Sequence, residues 1–227
     1  MIDSIEVVPT VVPKDAAEFA AAADIVRKFS RSIHLDIDDG VFAGAPTWPY
    51  LPSGDFKPFD LRAAGVSVEA HLMVKDPREA GDALASAGAS LIVGHIEAFG
   101  SIGEARDALE SWRDSGASVG IAILMNTPLE SIAPVVDLCD VVQLMTIDVI
   151  GAQGAPFDQR ANARIGQAHA TYPRSCIAVD GGVSAKNIGD LVRFGARKFL
   201  VGSAIMKEPD PLHAYEKLLA IGKASLV

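Results

Sequence analysis

The sequence has no excess of positive charge, which argues against nucleic acid as its main ligand. Its 20 Lys and Arg residues are outnumbered by 29 Asp and Glu residues, giving a formal net charge of −9 at pH 7. Nucleic acids select basic patches on proteins because their backbones are polyanionic. A small phosphorylated molecule remains compatible with this charge, since a few backbone N–H groups can hold one phosphate.

Cysteine is scarce, and nothing in the chain looks like a membrane segment. Cys139 and Cys176 do not form a C-x-x-C pair. We expect them to be buried free thiols in a reducing compartment, which indicates the cytoplasm. A basic segment followed by an apolar stretch is missing from the N-terminus, so no signal peptide is expected. No apolar run approaches the ~18 residues that a membrane span requires.

Linkers and low-complexity segments are also missing. The chain has 227 residues, of which 49% are hydrophobic, and this is enough for a sizeable core. We therefore predict one domain over residues 1–227.

Short apolar runs alternate with amphipathic stretches along the chain. The runs are rich in Val, Ile and Leu and nearly continuously apolar, which is typical of strands buried on both faces of a parallel sheet. They predict eight strands, at residues 5–10, 33–37, 67–73, 91–96, 119–124, 141–147, 177–180 and 198–202. The amphipathic stretches predict helices at residues 15–29, 76–87, 102–115, 131–138, 158–170, 185–194 and 211–221.

This alternation predicts a (β/α)8 TIM barrel with a parallel eight-stranded sheet. Gly65, Gly88, Gly116 and Gly195 support it, because each follows a helical stretch and precedes a strand by a few residues. A doubly wound open sheet is the alternative. It usually carries G-x-G-x-x-G after its first strand, where this chain has Pro9-Thr-Val-Val-Pro13.

Histidines and carboxylates collect near the ends of predicted strands two, three and seven. Alternate residues of a strand share a face, so His34 and Asp36 point the same way, as do Glu69 and His71. Barrel enzymes build their sites at the C-terminal ends of strands, where these residues could meet Asp180. Two imidazoles and two carboxylates suit Zn²⁺, Fe²⁺, Mn²⁺ or Co²⁺, and Glu69 could orient a liganding histidine. For any single histidine, a core position is the alternative interpretation.

One long irregular stretch, residues 41–58, follows the second predicted strand and would lie over the active face of the barrel. A loop of this length in a compact domain is usually functional. A surface excursion that packs its aromatic side chains onto the rim is the alternative.

Several strings occur in a fixed order along the chain. They are His34-Leu-Asp36-Ile-Asp38-Asp39-Gly40, His71-Leu-Met73-Val74, His95-Ile-Glu97-Ala98, Thr127-Pro128-Leu129-Glu130, Met145-Thr146, Val179-Asp180-Gly181-Gly182-Val183 and Gly202-Ser203-Ala204-Ile205. Together they resemble the ribulose-phosphate 3-epimerase family over almost the whole chain. In that family the second strand carries H-x-D-x-M-D-G, the third H-L-M-V, the fourth H-x-E-A and the seventh V-D-G-G-V.

The resemblance implies a metal-dependent 3-epimerase of a ketose phosphate, either ribulose 5-phosphate or a related pentulose or hexulose phosphate. It implies one divalent ion (Zn, Fe, Mn or Co) held by His34, Asp36, His71 and Asp180, with Asp36 and Asp180 also as the acid/base pair. Epimerisation at C3 removes a proton on one face and returns one on the other through an enediolate. Two groups on opposite sides are therefore needed, and a metal would stabilise the negative charge.

The resemblance also implies the ligand and the assembly. We expect contacts to a small phosphorylated sugar from Thr10, Met73, Met145, Gly181, Gly182, Gly202 and Ser203. Loops after the seventh and eighth strands are the usual phosphate site of this fold, although tight turns alone would also explain the glycines. Members of the family commonly self-associate, so a homo-oligomer is expected.

The chain departs from the family's pattern at three places. Asp38 replaces a methionine; beside Asp36 it would raise the pKa of its neighbours, add a metal ligand or contact a substrate hydroxyl. Residues 148–154 replace the family's N-P-G-F-G-G-Q loop, and Asp148 would repel a phosphate dianion unless it points away. Residues 122–128 differ from the family's A-x-N-P-x-T-P.

Two other functions stay open. The altered loop and Asp38 motivate the second hypothesis, a sugar-phosphate-binding or regulatory barrel that has lost epimerase turnover. A lyase or aldolase ranks below it. A Schiff-base aldolase needs an inward lysine, and the candidates are Lys75 and Lys198, while the D-x-K-x-x-D of related decarboxylase barrels is not found.

Overall fold

The computed structural model describes residues 4–50, 59–151 and 154–226. Its strands pair in parallel in chain order, and the last returns to the first, so the sheet closes into a barrel. The strands are β1 (Glu6–Val11), β2 (Ser32–Asp38), β3 (Ser67–Met73), β4 (Leu91–His95), β5 (Ser118–Ile123), β6 (Val141–Met145), β7 (Cys176–Asp180) and β8 (Lys198–Val201). The predicted (β/α)8 barrel is confirmed.

Helices follow most of the strands. The α-helices are α1 (Ala16–Val26), α2 (Pro77–Ala87), α3 (Ile102–Asp114), α4 (Arg160–Thr171), α5 (Ile188–Arg193), α6 (Ser203–Met206) and α7 (Pro211–Ala224). Asp15 and Ser101 begin α1 and α3 by accepting hydrogen bonds from Glu18 N and Glu104 N. Among the described residues, no helix is both long and apolar enough to cross a bilayer.

One predicted helix is wrong. Residues 131–138 do not form an α-helix; two short 3₁₀ helices, Leu129–Ile132 and Val136–Leu138, stand there instead. Pro134 lies between them. Its ring removes a backbone N–H and clashes with the carbonyl four residues earlier, which breaks a continuous helix.

Alternation along each strand separates the outer core from the interior of the barrel. On β2, Ile33, Leu35 and Ile37 belong to the large core between sheet and helices, whereas His34 and Asp36 point inward. On β4 to β7 the interior is filled by a small apolar cluster of Leu91, Val93, Ala122, Val141 and Ala178. The polar residues of the interior therefore gather on the remaining side of the barrel and at its C-terminal mouth.

The stretch after β2 lies over that mouth as far as the structure describes it. The Phe42 ring sits 5.0 Å from the His95 ring, and Trp48 packs between Phe19 and Phe59. Residues 41–50 thus pack their aromatic side chains onto the barrel, and a functional role of this loop stays a prediction. Residues 51–58 of the predicted loop lie outside the described residues.

The cysteines are free thiols, and both are partly buried rather than fully buried. Burial raises the pKa of Cys139 to about 12. Burial also raises the pKa of Cys176 above its ordinary value.

Candidate metal centre and substrate pocket

Four side chains predicted as metal ligands meet at the mouth of the barrel. His34 and Asp36 come from β2, His71 from β3, and Asp180 is the last residue of β7. One ligand atom from each lies within 4.8 Å of the others. Parallel pairing causes this meeting, because Asp36 stands opposite His71 in the ladder between β2 and β3.

The two histidines lie deeper than the two aspartates. His34 and His71 have no exposed surface, whereas Asp36 and Asp180 keep 8% and 7% exposure and line a pocket above them. His71 Nδ1 lies 3.0 Å from Asp36 Oδ1 and 3.3 Å from Asp180 Oδ2. The carboxylates thus approach one imidazole nitrogen from two separate strands and face the space where a ligand would enter.

The donor set fits a divalent metal ion. His34 Nε2 is buried, lies 3.5 Å from Asp36 Oδ1 and makes no hydrogen bond among the described residues. A buried imidazole nitrogen without a hydrogen bond is unusual in a folded protein, and coordination of an ion would satisfy it. Two imidazoles with two carboxylates suit transition-series divalent ions and Zn²⁺.

The pKa values of the two aspartates are shifted in opposite directions. Burial raises the pKa of Asp36 above its ordinary value, and the charge of Asp180 adds to the shift. Burial also acts to raise the pKa of Asp180, but the hydrogen bond and charge of His71 outweigh it, so this pKa is lowered. Burial alone would lower the pKa of His71; hydrogen bonds to Asp180 and Asp36 outweigh it and raise the pKa to about 9.

Glu69 lies where the sequence predicted a partner for a liganding histidine. Its Oε2 is 3.5 Å from His34 Nδ1, and its Oε1 accepts a hydrogen bond of 2.6 Å from Lys198 Nζ. Lys198 also donates to Glu6 Oε2 at 2.7 Å. A chain of charges, Glu6–Lys198–Glu69, therefore runs from the exposed Glu6 to the buried Glu69 beside His34. The contact between Lys198 and Glu69 could not be predicted from spacing, because the two residues are 129 positions apart in the sequence.

His95 and Gln143 also reach the site, and sequence reasoning did not assign them to it. His95 Nε2 lies 2.9 Å from His71 Nε2, and His95 Nδ1 lies 3.3 Å from Glu97 Oε2. Gln143 Nε2 donates to Asp180 Oδ2 at 3.1 Å. Both could have been predicted to point into the barrel, because each lies two residues after an inward-facing valine of its own strand. They hold the imidazole of His71 and the carboxylate of Asp180 in place.

A pocket that opens to solvent lies above the cluster. It is lined by all of the residues predicted to contact substrate or phosphate, namely Thr10, Met73, Met145, Gly181, Gly182, Gly202 and Ser203. Asp36 and Asp180 form part of the same wall. The structure thus brings the predicted contact residues and the predicted acid/base pair to one space.

The turn after β7 requires glycine. Gly181 and Gly182 have φ values of 111° and 67°, in the region that L residues with a side chain rarely adopt. A Cβ on Gly182 would lie 2.7 Å from the backbone nitrogen of Phe157. The turn is therefore held against the segment that precedes α4, with its backbone at the pocket wall.

Apolar side chains cover the cluster from above. Met73, Met145, Ile147 and Ile150 form a small buried group, and Phe42 packs against it. Contact between the loops is close, because a Cβ on Gly44 would lie 2.9 Å from the carbonyl oxygen of Gly151. The loops after β2 and β6 thus form a common apolar cover.

Asp38 faces the pocket, as expected, but it is not part of the four-residue cluster. Its Oδ1 accepts a hydrogen bond of 2.7 Å from Gly40 N. Burial, opposed by this bond, raises the pKa of Asp38 to about 6, with further contributions from the charges of Asp39 and Asp36.

Asp148 points away from the pocket towards Arg160, whose Nη2 lies 3.2 Å from Asp148 Oδ1. Arg160 also pairs with Asp158. The charge that would have repelled a phosphate is thereby compensated at the surface. Residues 152–153 of the altered loop lie outside the described residues.

Comparison with known proteins identifies the family. The model of the ribulose-phosphate 3 epimerase family matches residues 6–206. The chain belongs to the ribulose-phosphate 3-epimerase family. The resemblance expected from the strings in the sequence is thus confirmed.

Named members of this carbohydrate epimerase family are similar over most of the chain. The ribulose-phosphate 3-epimerase of Escherichia coli strain K12 is 30% identical over 210 residues, covering 90% of this chain and 84% of its own length. The cytoplasmic isoform of Oryza sativa subsp. japonica is 30% identical over 210 residues, covering 91% of this chain and 89% of its own.

Solved structures outside the epimerase family share the barrel. The KGPDC of Streptococcus mutans matches with a TM-score of 0.70 at 13% identity, covering 97% of this chain and 99% of its own. A 3-hexulose-6-phosphate synthase matches with a TM-score of 0.67 at 19% identity, covering 96% and 99%. At these identities the likeness concerns the fold alone.

Proposed function

We propose that this chain is a metal-dependent 3-epimerase of a ketose phosphate, either ribulose 5-phosphate or a related pentulose or hexulose phosphate. The observation that carries the proposal is the placement of Asp36 and Asp180. They come from strands β2 and β7, face one pocket, and lie 3.0 and 3.3 Å from the same nitrogen of His71. Membership in the epimerase family supports it.

The two carboxylates supply the proton transfers. In one direction Asp180 takes the proton from C3 of the substrate, and Asp36 delivers a proton to the opposite face of the enediolate. In the reverse direction the two roles exchange. The opposite pKa shifts of the pair support this division, since one carboxyl has to hold a proton while the other is ionised.

His34, Asp36, His71 and Asp180 would hold one divalent ion (Zn, Fe, Mn or Co). When bound, such an ion would supply positive charge close to the oxygens on which negative charge develops. Glu69 orients His34, and His95 orients His71, through the contacts described above.

The apolar cover limits the access of water to the two carboxylates. Met73 and Met145 line the pocket beside the carboxylates, and Ile147 packs with them. Exclusion of water strengthens the electrostatic interactions inside and protects a reactive carbanion-like species from unwanted protonation.

Backbone groups at the far side of the pocket are proposed to hold the phosphate. Gly181 and Gly182 after β7, and Gly202 and Ser203 after β8, lie where barrels of this kind bind phosphate. Thr10 adds a hydroxyl group at the same wall. Backbone N–H groups suit this task because they can bind a phosphate without cationic side chains, which this pocket lacks among its described residues.

The cytoplasm and a homo-oligomer remain predictions for this chain, with neither nucleic acid nor a membrane as partner. Sedimentation of the purified protein tests the assembly directly. A single species at the mass of one chain would contradict the homo-oligomer.

Proton exchange at C3 tests the proposed activity. The protein is incubated in deuterated water with D-ribulose 5-phosphate and a panel of pentulose and hexulose phosphates, with Mn²⁺, Fe²⁺, Co²⁺ or Zn²⁺ added after chelation. We expect C3 deuterium exchange with at least one compound, lost on chelation and restored by one of these ions. Absence of exchange with every compound would contradict the proposal.

The same experiment decides the alternative of a sugar-phosphate-binding barrel without turnover. That alternative predicts a rise in melting temperature with a ketose phosphate but no C3 exchange. An aldolase that uses Lys198 is disfavoured by the structure, because Lys198 is ion-paired to Glu6 and Glu69 and these carboxylates raise its pKa against the effect of burial. Lys198 does not line the pocket among the described residues.

A further inference from the structure

Asp38 is the last residue of β2 and is held rigidly. Its backbone nitrogen donates to Thr47 Oγ1 at 2.9 Å, and its carbonyl oxygen accepts from Thr47 N at 2.9 Å. Oδ1 accepts from Gly40 N at 2.7 Å. The side chain has no exposed surface. Two hydrogen bonds therefore fix the backbone of Asp38, and one holds its carboxylate.

The second oxygen of this carboxylate lacks a partner. Oδ2 is buried and makes no hydrogen bond within the described part of the chain. A Cβ on Gly151 would come within 2.6 Å of Oδ2, so the backbone of Gly151 packs against this oxygen and no larger residue fits beside it. Buried polar atoms in folded proteins are nearly always hydrogen-bonded, and an orphan acceptor at a pocket wall points to a donor on the ligand.

The pocket wall offers no cationic side chain as a partner for Oδ2 among the described residues. The described residues that line the pocket include no Lys, Arg or His, and Met73, the partner of Asp38 in the strand ladder, is apolar. Thr10 Oγ1, also in this pocket, is another buried polar atom without a partner among the described residues. The pocket therefore carries unfilled hydrogen-bonding capacity on the side where the family's pattern has a methionine.

We propose that Asp38 is a specificity-determining residue that accepts a hydrogen bond from a hydroxyl group of the substrate. The protein thereby selects a ketose phosphate that presents a hydroxyl at this point over one that presents hydrogen. This inference rests on the proposed function and narrows its substrate class. A site built to accept a hydroxyl rejects the analogue that lacks it, because the buried acceptor is then left unpaired.

Hydroxyl deletion combined with substitution of Asp38 tests the proposal. The substrate is the ketose phosphate with the fastest C3 exchange, and its monodeoxy derivatives each lack one hydroxyl away from the reacting carbon. The variants are Asp38→Met, which installs the family's residue, and the isosteric Asp38→Asn. Asp148→Asn is the control, because it removes a carboxylate that points to Arg160 outside the pocket.

For one deoxy derivative we expect kcat/KM to fall by about 10- to 100-fold in the wild-type protein and in Asp148→Asn. In Asp38→Met, removal of the same hydroxyl should lower kcat/KM by about 2-fold or less, because the variant already lacks the acceptor for that hydroxyl. Asp38→Asn should lie between them, because a neutral amide oxygen is a weaker acceptor than a carboxylate.

Equal losses in the wild-type protein and Asp38→Met for every deoxy derivative would overturn the inference and leave the epimerase proposal intact. If Asp38→Met does not fold, equal losses in Asp38→Asn overturn it in the same way. A wild-type protein that exchanges no ketose phosphate overturns the epimerase proposal, and the inference about Asp38 with it.

Discussion

At the scale of single residues, His71 connects the two aspartates that we propose as acid and base. Its Nδ1 faces both carboxylates, and its Nε2 lies 2.9 Å from His95. Rotation of this ring would break all three contacts at once. The geometry of the proton-transferring pair therefore depends on one imidazole that is completely buried.

Asparagine at either aspartate should stop epimerisation. Asp180→Asn and Asp36→Asn keep the shape of the side chain but cannot exchange a proton, so kcat should fall by about 10²- to 10⁴-fold in each. Rates of product formation from the best ketose phosphate measure this loss. Asp148→Asn should retain the wild-type rate, since this exposed carboxylate pairs with Arg160. A rate for Asp180→Asn close to that of Asp148→Asn would contradict the assignment.

Lys198 should matter for stability, because it is the only cation that the described residues place against Glu69 other than a histidine. Lys198→Met leaves this carboxylate buried without its cation and should lower the free energy of unfolding by about 3–5 kcal/mol. Urea denaturation of the metal-free protein measures it. Lys28→Met, on an exposed side chain, should change stability by about 0.5 kcal/mol or less. The double variant Lys198→Met/Glu69→Gln should recover part of the loss; a stable Lys198→Met would contradict a role for the pair.

The residue scale also shows what the sequence could and could not predict. His34, Asp36, His71 and Asp180 could be predicted because each lies within or at the end of an apolar run, where alternation fixes its face. The ion pair of Lys198 with Glu69 could not, because it depends on the stagger of strands that are far apart in sequence. The hydrogen bonds of the Asp38 carboxylate could not be predicted either, because they depend on distances between loops that residue spacing does not determine.

At the scale of elements, the strands were predictable and one helix was not. Predicted strand ends lie within two residues of the observed ones, because strands buried on both faces are continuously apolar and bounded by polar or glycine residues. The stretch at 131–138 has helical periodicity, but Pro134 divides it into two 3₁₀ helices. Periodicity describes which face is buried; it does not by itself guarantee the hydrogen bonds of an α-helix.

The turn after β7 should be sensitive to one methyl group. Gly182→Ala forces a residue with a Cβ to φ near 67° and against the backbone of Phe157, so the turn has to shift at the pocket wall. We expect KM for the phosphorylated substrate to rise by about 10-fold or more if the backbone holds the phosphate.

Gly116→Ala is the matched control for this turn. Gly116 also has a positive φ, 96°, but a Cβ there has no neighbour within 4 Å, and the residue lies outside the pocket. The control should lose stability by about 1–2 kcal/mol while KM stays unchanged. An unchanged KM in Gly182→Ala would contradict the proposed phosphate site.

At the scale of the whole molecule, closure of the barrel assembles the site. The candidate metal ligands are residues 34, 36, 71 and 180, which the closed sheet in chain order brings within 4.8 Å of one another. Parallel strands place every C-terminal end at one mouth, so the chemistry, the apolar cover and the glycine turns lie on the same face. β2 and β7 are separated by β1 and β8 in the closed sheet, so Asp36 and Asp180 enter the mouth from two separate strands, and we propose that this lets the two carboxylates address two faces of one carbon.

The most direct measurement of this central claim is the origin of the hydrogen at C3 of the product. The metal-loaded wild-type protein converts its best ketose phosphate to the C3 epimer in deuterated water, and both compounds are analysed by NMR after a small extent of reaction. Two opposed carboxylates predict a product that carries deuterium at C3 from the first turnovers, while the unreacted substrate keeps its original hydrogen. A product that retains the substrate's own C3 hydrogen would contradict the account, because a single group would then have carried the proton across.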